Sequence, residues 1–393
     1  MRNNAGISIL FAACAAVAKK QASPIEHVIT LVMENRPFDH FFGFSQEEIG
    51  DLNGLTGDEF NYVDGESGDK TYVAKGSAQY VCANGPSQAF DATCTDWFGK
   101  EKGGFACATA AGAPAQDESG FVYANGHDEV MWQFSADQVP IKTQLAQEFA
   151  LMDAYYSSFA GPSTPNHLFI QTATAAGCTS TGATYHCDGS SFPQRTVYEN
   201  LADAGLTWQY YYNDSAWNTF LDYFNKPAGA AGVVTYDEFY ARAASGTLPN
   251  FAFILPRQGT NFTTGEGSND DHPCHDVALG EKLLKQTYEA LRAGPGWNKT
   301  LLVVTYDDFG GFYDHAPLVT EGVPAPDDEP SCPSTTDYTM LGPRVPTLLI
   351  SPWVKRNRVV HAPDGALGTP ARPTASSQYA EPPPLRLGCI LRI

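Results

Sequence analysis

Positive charge is in short supply in this chain. Its 24 Lys and Arg stand against 44 Asp and Glu, a formal net charge of -20. A molecule of that sign repels phosphate backbones and acidic bilayers, which excludes nucleic acid as a partner and electrostatic adsorption to anionic membranes. A lipid substrate stays compatible if it enters one headgroup at a time. No transmembrane segment is expected: the apolar run at residues 5–17 is too short to span a bilayer easily, and no later one suffices. No Cys-x-x-Cys pair occurs among the nine cysteines, so disulfides in an oxidising compartment are the expected use. Charged residues are only 17% and hydrophobic ones 43%, which excludes a disordered chain. At 393 residues it can bury a large core, in one α/β domain or two smaller ones.

The N-terminus reads as a secretory signal over residues 1–22. Arg2 gives the positive end, residues 5–17 the apolar core, and Ala16-Val17-Ala18 a cleavage site. Export to the extracellular space agrees with three glycosylation sequons, beginning at Asn213, Asn261 and Asn298. With Cys14 in the signal, Cys82, Cys94, Cys107, Cys178, Cys187, Cys274, Cys332 and Cys389 remain. Cys178 and Cys187 could close a small loop; spacing leaves the pairing open.

Two apolar, β-branched runs end abruptly on polar residues: HVITLVM before Glu34-Asn35, and LLVVTY before Asp307-Asp308. Runs of this kind suit strands buried on both faces of a parallel sheet. In open α/β sheets the chemistry lies beyond the carboxyl ends of the strands. Glu34, Asn35, Asp307 and Asp308 are therefore expected on one sheet edge, as an oxygen-rich site for one divalent metal and phosphate-ester chemistry. Residues 45–125 are polar and loop-like, an insertion beside the first strand. After Val139-Pro140-Ile141 a helical run is expected to Met152, and helices over 196–204 and 276–292. Strands are expected at 208–212, 251–255 and 345–351. Alternation of this kind predicts an α/β sandwich whose central sheet is mostly parallel and flanked by helices.

Three further segments carry chemistry. In FAGPSTPNH, Gly and Pro bracket Ser163 just before an apolar helical stretch, where a hydroxyl meets the positive end of the helix dipole. From this segment alone, Ser163 or Thr164 as a helix cap is the more economical reading. NDDHPCHD (269–276) packs Asp and His before a helix, suiting metal or a general acid, with Asp276 equally readable as the cap. After Asp308, Gly310 and Gly311 permit a tight return that could bring His315 towards the carboxylates; a structural histidine is the competing reading.

The strings HVITLVMENRPFDHFFG, FAGPSTPNHLF, NDDHPCHDVALGEKLLKQTYEALR and TYDDFGGFYDHAP, in order over residues 25–365, resemble the bacterial and plant phosphoesterase family. That family holds phosphatidylcholine-preferring and non-specific phospholipases C and a class of acid phosphatases. The resemblance implies an alkaline-phosphatase-like fold and a catalytic domain over residues 23–365. It implies metal ligation by Glu34, Asn35, Asp307 and Asp308, and Ser163 as nucleophile. His272 or His315 would be the proton donor, and Asn35, Asn166 and Asp271 would be phosphate contacts. The expected substrate is a phospholipid, cleaved on the glycerol side. The alternatives are an acid phosphatase on small phosphate esters and a catalytically impaired binding protein. Asp308 stands where the family usually has Glu, a carboxylate reaching about 1.5 Å farther. Phe309 replaces a polar residue and His167 a frequent Arg. Beyond Tyr379 the family pattern stops, so residues 366–393 are expected to be an aberrant, poorly ordered tail.

Overall fold

The computed structural model describes residues 23–65, 67–99, 116–181, 190–214, 220–260, 265–326 and 336–361. The expected signal peptide, the tail, Cys107, Cys187, Cys332, Cys389 and the Asn261 sequon lie outside the described residues.

Strand β1 (His27–Met33) explains the layout. Successive side chains point to opposite faces. Ile29, Leu31 and Met33 enter one core, Val28 and Val32 enter clusters on the other face, and all five are buried. A strand apolar on both faces needs cover on both. Two short ladders follow it, β2 (Phe60–Tyr62) with β3 (Lys70–Tyr72) and β4 (Ala74–Lys75) with β5 (Trp132–Gln133). The main sheet is completed by β6 (Ala150–Met152), β7 (Trp208–Tyr212), β8 (Val233–Thr235), β9 (Phe251–Leu255), β10 (Thr300–Tyr306), β11 (Thr347–Ile350) and β12 (Arg358–Val360). Its order is β12-β6-β11-β10-β1-β9-β7-β8. Only β11 runs against the others, pairing antiparallel with both β10 and β6.

One face is covered by helices Pro140–Glu148, Tyr236–Ser245 and Val277–Ala293, through Leu145, Phe239, Leu283 and Leu284. The other is covered by helices Ser163–Thr172 and Val197–Asp203, through Leu168, Phe169 and Tyr198. The expected mostly parallel α/β sandwich is the fold observed. Among the described residues no helix is long and apolar enough to cross a membrane.

The helical run expected to reach Met152 begins at Pro140 and stops at Glu148, and residues 150–152 form β6 between β11 and β12. Ala, Leu and Met favour a helix locally, but pairing on both sides overrides that preference. Asp276 is the helix cap, its Oδ1 accepting from the Ala278 amide at 2.9 Å. Thr196 and Glu199 form a reciprocal capping box at the start of Val197–Asp203.

The 45–125 insertion is packed against the sheet rather than detached. Trp97, fully buried, donates its indole N–H to the Ala316 carbonyl at 2.9 Å. A disulfide joins Cys82 of the insertion to Cys274 of the histidine-rich loop. Cys178 does not close a loop; its buried thiol is free and donates to the Ser180 carbonyl.

A buried charge triad ties two helices. Lys142 Nζ lies 3.0 Å from Asp271 Oδ2 and 3.0 Å from Glu281 Oε1, with all three side chains buried. Removing one member leaves uncompensated charge out of water, which costs about 3–5 kcal/mol. Lys142→Met is therefore expected to lower unfolding free energy by roughly that amount in urea titrations. A shift below about 1 kcal/mol would show that water reaches the triad.

Candidate active site

Parallel pairing of β1 and β10 sets Met33 beside Tyr306. The next residues of each strand then emerge together at the carboxyl edge. The Asp307 amide donates to the Met33 carbonyl at 3.1 Å, and the Asn35 amide donates to Asp307 Oδ1 at 3.0 Å. Asn35 turns the chain at φ 62°, a left-handed conformation Asn tolerates better than most residues. Opposite it, Gly310 has φ 67°, and a Cβ there would stand 2.0 Å from the Asn35 carbonyl oxygen. Glycine is what lets the two elbows touch.

Ser163 reaches this edge from the first turn of helix Ser163–Thr172. It does not cap the helix, and neither does Thr164, whose hydroxyl donates to the Thr181 carbonyl at 3.2 Å. Ser163 Oγ instead lies 3.1 Å from Asp308 Oδ2, to which it donates, and 3.1 Å from the Asn35 amide. Asp308 is steadied by the Gly310 amide at 2.8 Å. His167 Nε2 lies 2.9 Å from Glu34 Oε1 and 3.5 Å from Asp307 Oδ2. Gln258 donates to the same Glu34 oxygen at 3.2 Å. Glu34, Asn35, Ser163, His167, Asp307 and Asp308 are all buried.

Three carboxylates without a fixed cation cannot all stay ionised here. Among the described residues no Lys or Arg contacts Glu34, Asp307 or Asp308. Burial, then Asp270, pushes Glu34 from 4.5 up to about 8. Burial, then Glu34, pushes Asp307 from 3.8 up to about 7. Asp308 is driven well above the carboxylate range by burial and by Asp307. Burial lowers His167, against the pull of Asp307.

The Asn35 amide tests whether a cation fits. Its inward atom lies 3.1 Å from Ser163 Oγ, 2.9 and 3.2 Å from the Asp307 oxygens and 3.0 Å from Glu34 Oε2. All of these neighbours are oxygens. Without a cation the nitrogen belongs inward, donating to the carboxylates. With the oxygen inward, Glu34, Asn35, Ser163, Asp307 and Asp308 form a ring of hard donors that fits a divalent cation. The oxygen-inward setting also turns Nδ2 towards Gln88 Oε1 at 2.6 Å. Glu34, His167 and Asp307 alone bring three ligand atoms within 4.8 Å of one another.

Other expected site residues fall elsewhere. Asn166 is used up in its own turn, accepting from the Phe159 amide at 2.8 Å and donating to the carbonyls of Phe159, Gly161 and Pro162. It holds the Ser163 turn and has no proton left for a phosphate. Asp271 pairs with Lys142 and accepts from the Tyr306 hydroxyl at 2.6 Å, so its carboxylate braces the helices. His315 does not return to the elbows. Its Nδ1 lies 2.6 Å from Asp39 and its Nε2 3.1 Å from Asn53 Oδ1, in a network where Arg344 binds Asp39 and Asp314. His272 does border the site, its Nε2 3.1 Å from the outer atom of the Asn35 amide.

In the sequence His167 stands out only as a departure from the family pattern, and Gln88 and Gln258 do not stand out at all. His167 was legible: it follows Ser163 by four residues on one helix, which puts both on the same face. Gln258 follows the end of β9, the third parallel strand at this edge. Gln88 left no signal, since only the folded insertion brings it to Asn35.

A hydroxyl at a helix N-terminus, facing a ring of carboxylates on the edge of a parallel sheet, offers donors to a phosphate and ligands to a cation. The chain belongs to the phosphoesterase family, whose model matches residues 25–367. It is 36% identical over 360 residues to non-specific phospholipase C6 of Arabidopsis thaliana, covering 91% of this chain and 66% of that protein. It is 33% identical over 371 residues to non-specific phospholipase C1 of the same plant, covering 92% and 65%. With phospholipase C B of Mycobacterium tuberculosis it shares 27% over 387 residues, covering 86% and 70%. The chain spans about two thirds of the length of these relatives. Among solved structures, a protein of the alkaline phosphatase superfamily from Vibrio parahaemolyticus is 13% identical, with a TM-score of 0.33 over 56% of each chain.

Proposed function

We propose that this chain is a secreted phospholipase C-like hydrolase that cleaves the glycerol-side phosphodiester of phospholipids through a phosphoserine at Ser163. The observation that carries the reading is Ser163 Oγ, 3.1 Å from Asp308 Oδ2 and set against the oxygen ring at a helix N-terminus. Asp308 accepts the hydroxyl proton as Oγ attacks phosphorus. The first-turn amides face the phosphate oxygens. A divalent cation held by Glu34, Asn35, Asp307 and Asp308 would neutralise phosphate charge and favour the ionised hydroxyl. Water then cleaves the phosphoserine, and Asp308 returns the proton to Oγ. The names of the plant and mycobacterial relatives support the substrate class, and the Cys82–Cys274 disulfide supports an oxidising compartment.

The test is a side-by-side assay on phosphatidylcholine vesicles and p-nitrophenyl phosphate, each with and without chelator. Release of phosphocholine and diacylglycerol, abolished by chelator and restored by a divalent cation, is the expected result. Turnover of p-nitrophenyl phosphate alone would assign the site to phosphomonoesters instead.

A further inference from the structure

We propose that His275, oriented by Asp270, is the acid that protonates the leaving oxygen; this rests on the phosphoserine reading above. Departing alkoxides such as that of diacylglycerol are strongly basic and need a proton as the ester bond breaks. Four histidines are near enough in sequence or space to be considered, and their surroundings separate them. His315 has both ring nitrogens engaged by Asp39 and Asn53, within the Arg344 network. His167 is buried and turns its Nε2 to Glu34. His272 has Nδ1 2.6 Å from the Pro273 carbonyl, which can only accept, so that nitrogen carries the ring's proton in the neutral form. His275 differs from all three. Its Nδ1 lies 2.7 Å from Asp270 Oδ1, and its side chain is 34% exposed while Asp270 is buried.

This is the arrangement of a histidine with a carboxylate orienter: Nδ1–H fixed on the acid, Nε2 left for the substrate. Asp270 is itself anchored to the catalytic edge, because its carbonyl accepts from the Glu34 amide at 2.8 Å and Oδ1 accepts from the His272 amide at 3.1 Å. The His275 ring stands 5.4 Å from the His272 ring, which in turn borders Asn35. His275 is thus one ring outward from Asn35, on the solvent side of His272. The disulfide at Cys274 ties this turn to the insertion wall that carries Gln88.

The charged and titratable groups facing His275 are Asp270, His272, Arg36 and Glu34. The hydrogen bond to Asp270 raises His275 above its ordinary value against burial and Arg36.

The steps balance. Ser163 Oγ bonds to phosphorus, its proton passes to Asp308, and the bond from phosphorus to the glyceryl oxygen breaks. That oxygen keeps the electron pair and takes the proton from His275 Nε2, leaving a neutral imidazole. In the second half a water gives one proton to His275 Nε2 and its oxygen to phosphorus. The bond to Oγ breaks and Oγ regains the proton from Asp308.

The experiment compares full-length wild type with His275→Gln on two diesters that differ in leaving group, phosphatidylcholine and p-nitrophenyl phosphorylcholine. p-Nitrophenolate departs without a proton. In kcat/KM, which reports formation of the phosphoserine and not its hydrolysis, the variant is expected to lose at least about 100-fold on phosphatidylcholine and less than about tenfold on the nitrophenyl ester. The falling basic limb of the phosphatidylcholine profile should vanish with the ring. Because both rates come from one preparation, their ratio does not depend on the folded fraction. An unchanged ratio, whether both rates fall equally or neither falls, overturns the proposal. A wild type active only on monoesters would overturn the phospholipase reading alone. The same ratio, taken between glycerol phosphate and p-nitrophenyl phosphate, then decides the role of His275. A wild type inactive on every ester overturns both.

Discussion

Ser163→Ala is expected to abolish turnover by several orders of magnitude while leaving the fold intact, since removing a nucleophile is among the costliest changes to an active site. Little structural loss should accompany it. The hydroxyl makes two hydrogen bonds, and its acceptor Asp308 keeps a second hold on the Gly310 amide. Thr164→Ala serves as the control, because that hydroxyl is spent on the Thr181 carbonyl and touches neither elbow. Steady-state rates with a thermal melt for each variant check this. A Ser163→Ala enzyme keeping more than about a tenth of wild-type activity would falsify the covalent route.

The second large effect is the pH dependence of the cation-free protein. Glu34 moves from 4.5 to about 8 on folding, and Asp307 from 3.8 to about 7, chiefly by burial. Both groups therefore bind protons more tightly when folded. Their stabilising contribution is complete below about pH 4 and is lost as pH rises through about 7 to 8. Chelated protein should accordingly lose melting temperature between pH 5 and 8, by about 5 °C or more. A divalent cation favours the ionised carboxylates and should flatten or reverse that slope, with protons released on binding. Calorimetry in two buffers of different ionisation enthalpy measures that release. Identical melting curves with and without chelator across this range would remove the cation from the site.

Much of this architecture was legible in advance because β1 and β10 are apolar on both faces and end on carboxylates. That pattern alone implies a parallel sheet and a polar edge. It also located Glu34, Asn35, Asp307 and Asp308, since residues directly after buried strands have nowhere else to go. Ser163 was legible as a residue but not in its role: a hydroxyl after Gly-Pro at a helix start reads as a cap, and only the packed helix shows Oγ turned to Asp308. Asn166 and Asp271 were misplaced for a common reason. Each has a partner distant in the chain or hidden in backbone geometry, such as Lys142 for Asp271, and sequence spacing carries no record of it. His315 follows the Gly310-Gly311 return as expected, yet Asp39 and Arg344 claim its ring. The glycines set the turn but not its direction.

The position of β1 bears on how the chain is made. It ends at Met33, whereas its two neighbours in the sheet, β9 and β10, begin at Phe251 and Thr300. While the residues between them are being synthesised, a largely apolar strand therefore waits with both hydrogen-bonding edges bare, the state most open to pairing with another copy. Non-local parallel pairing is also slow to form. The arrangement that brings Glu34 beside Asp307 thus makes translation of residues 34–299 the vulnerable interval. Recombinant yield should respond more to factors that shield nascent chains than to changes in the stability of the finished fold.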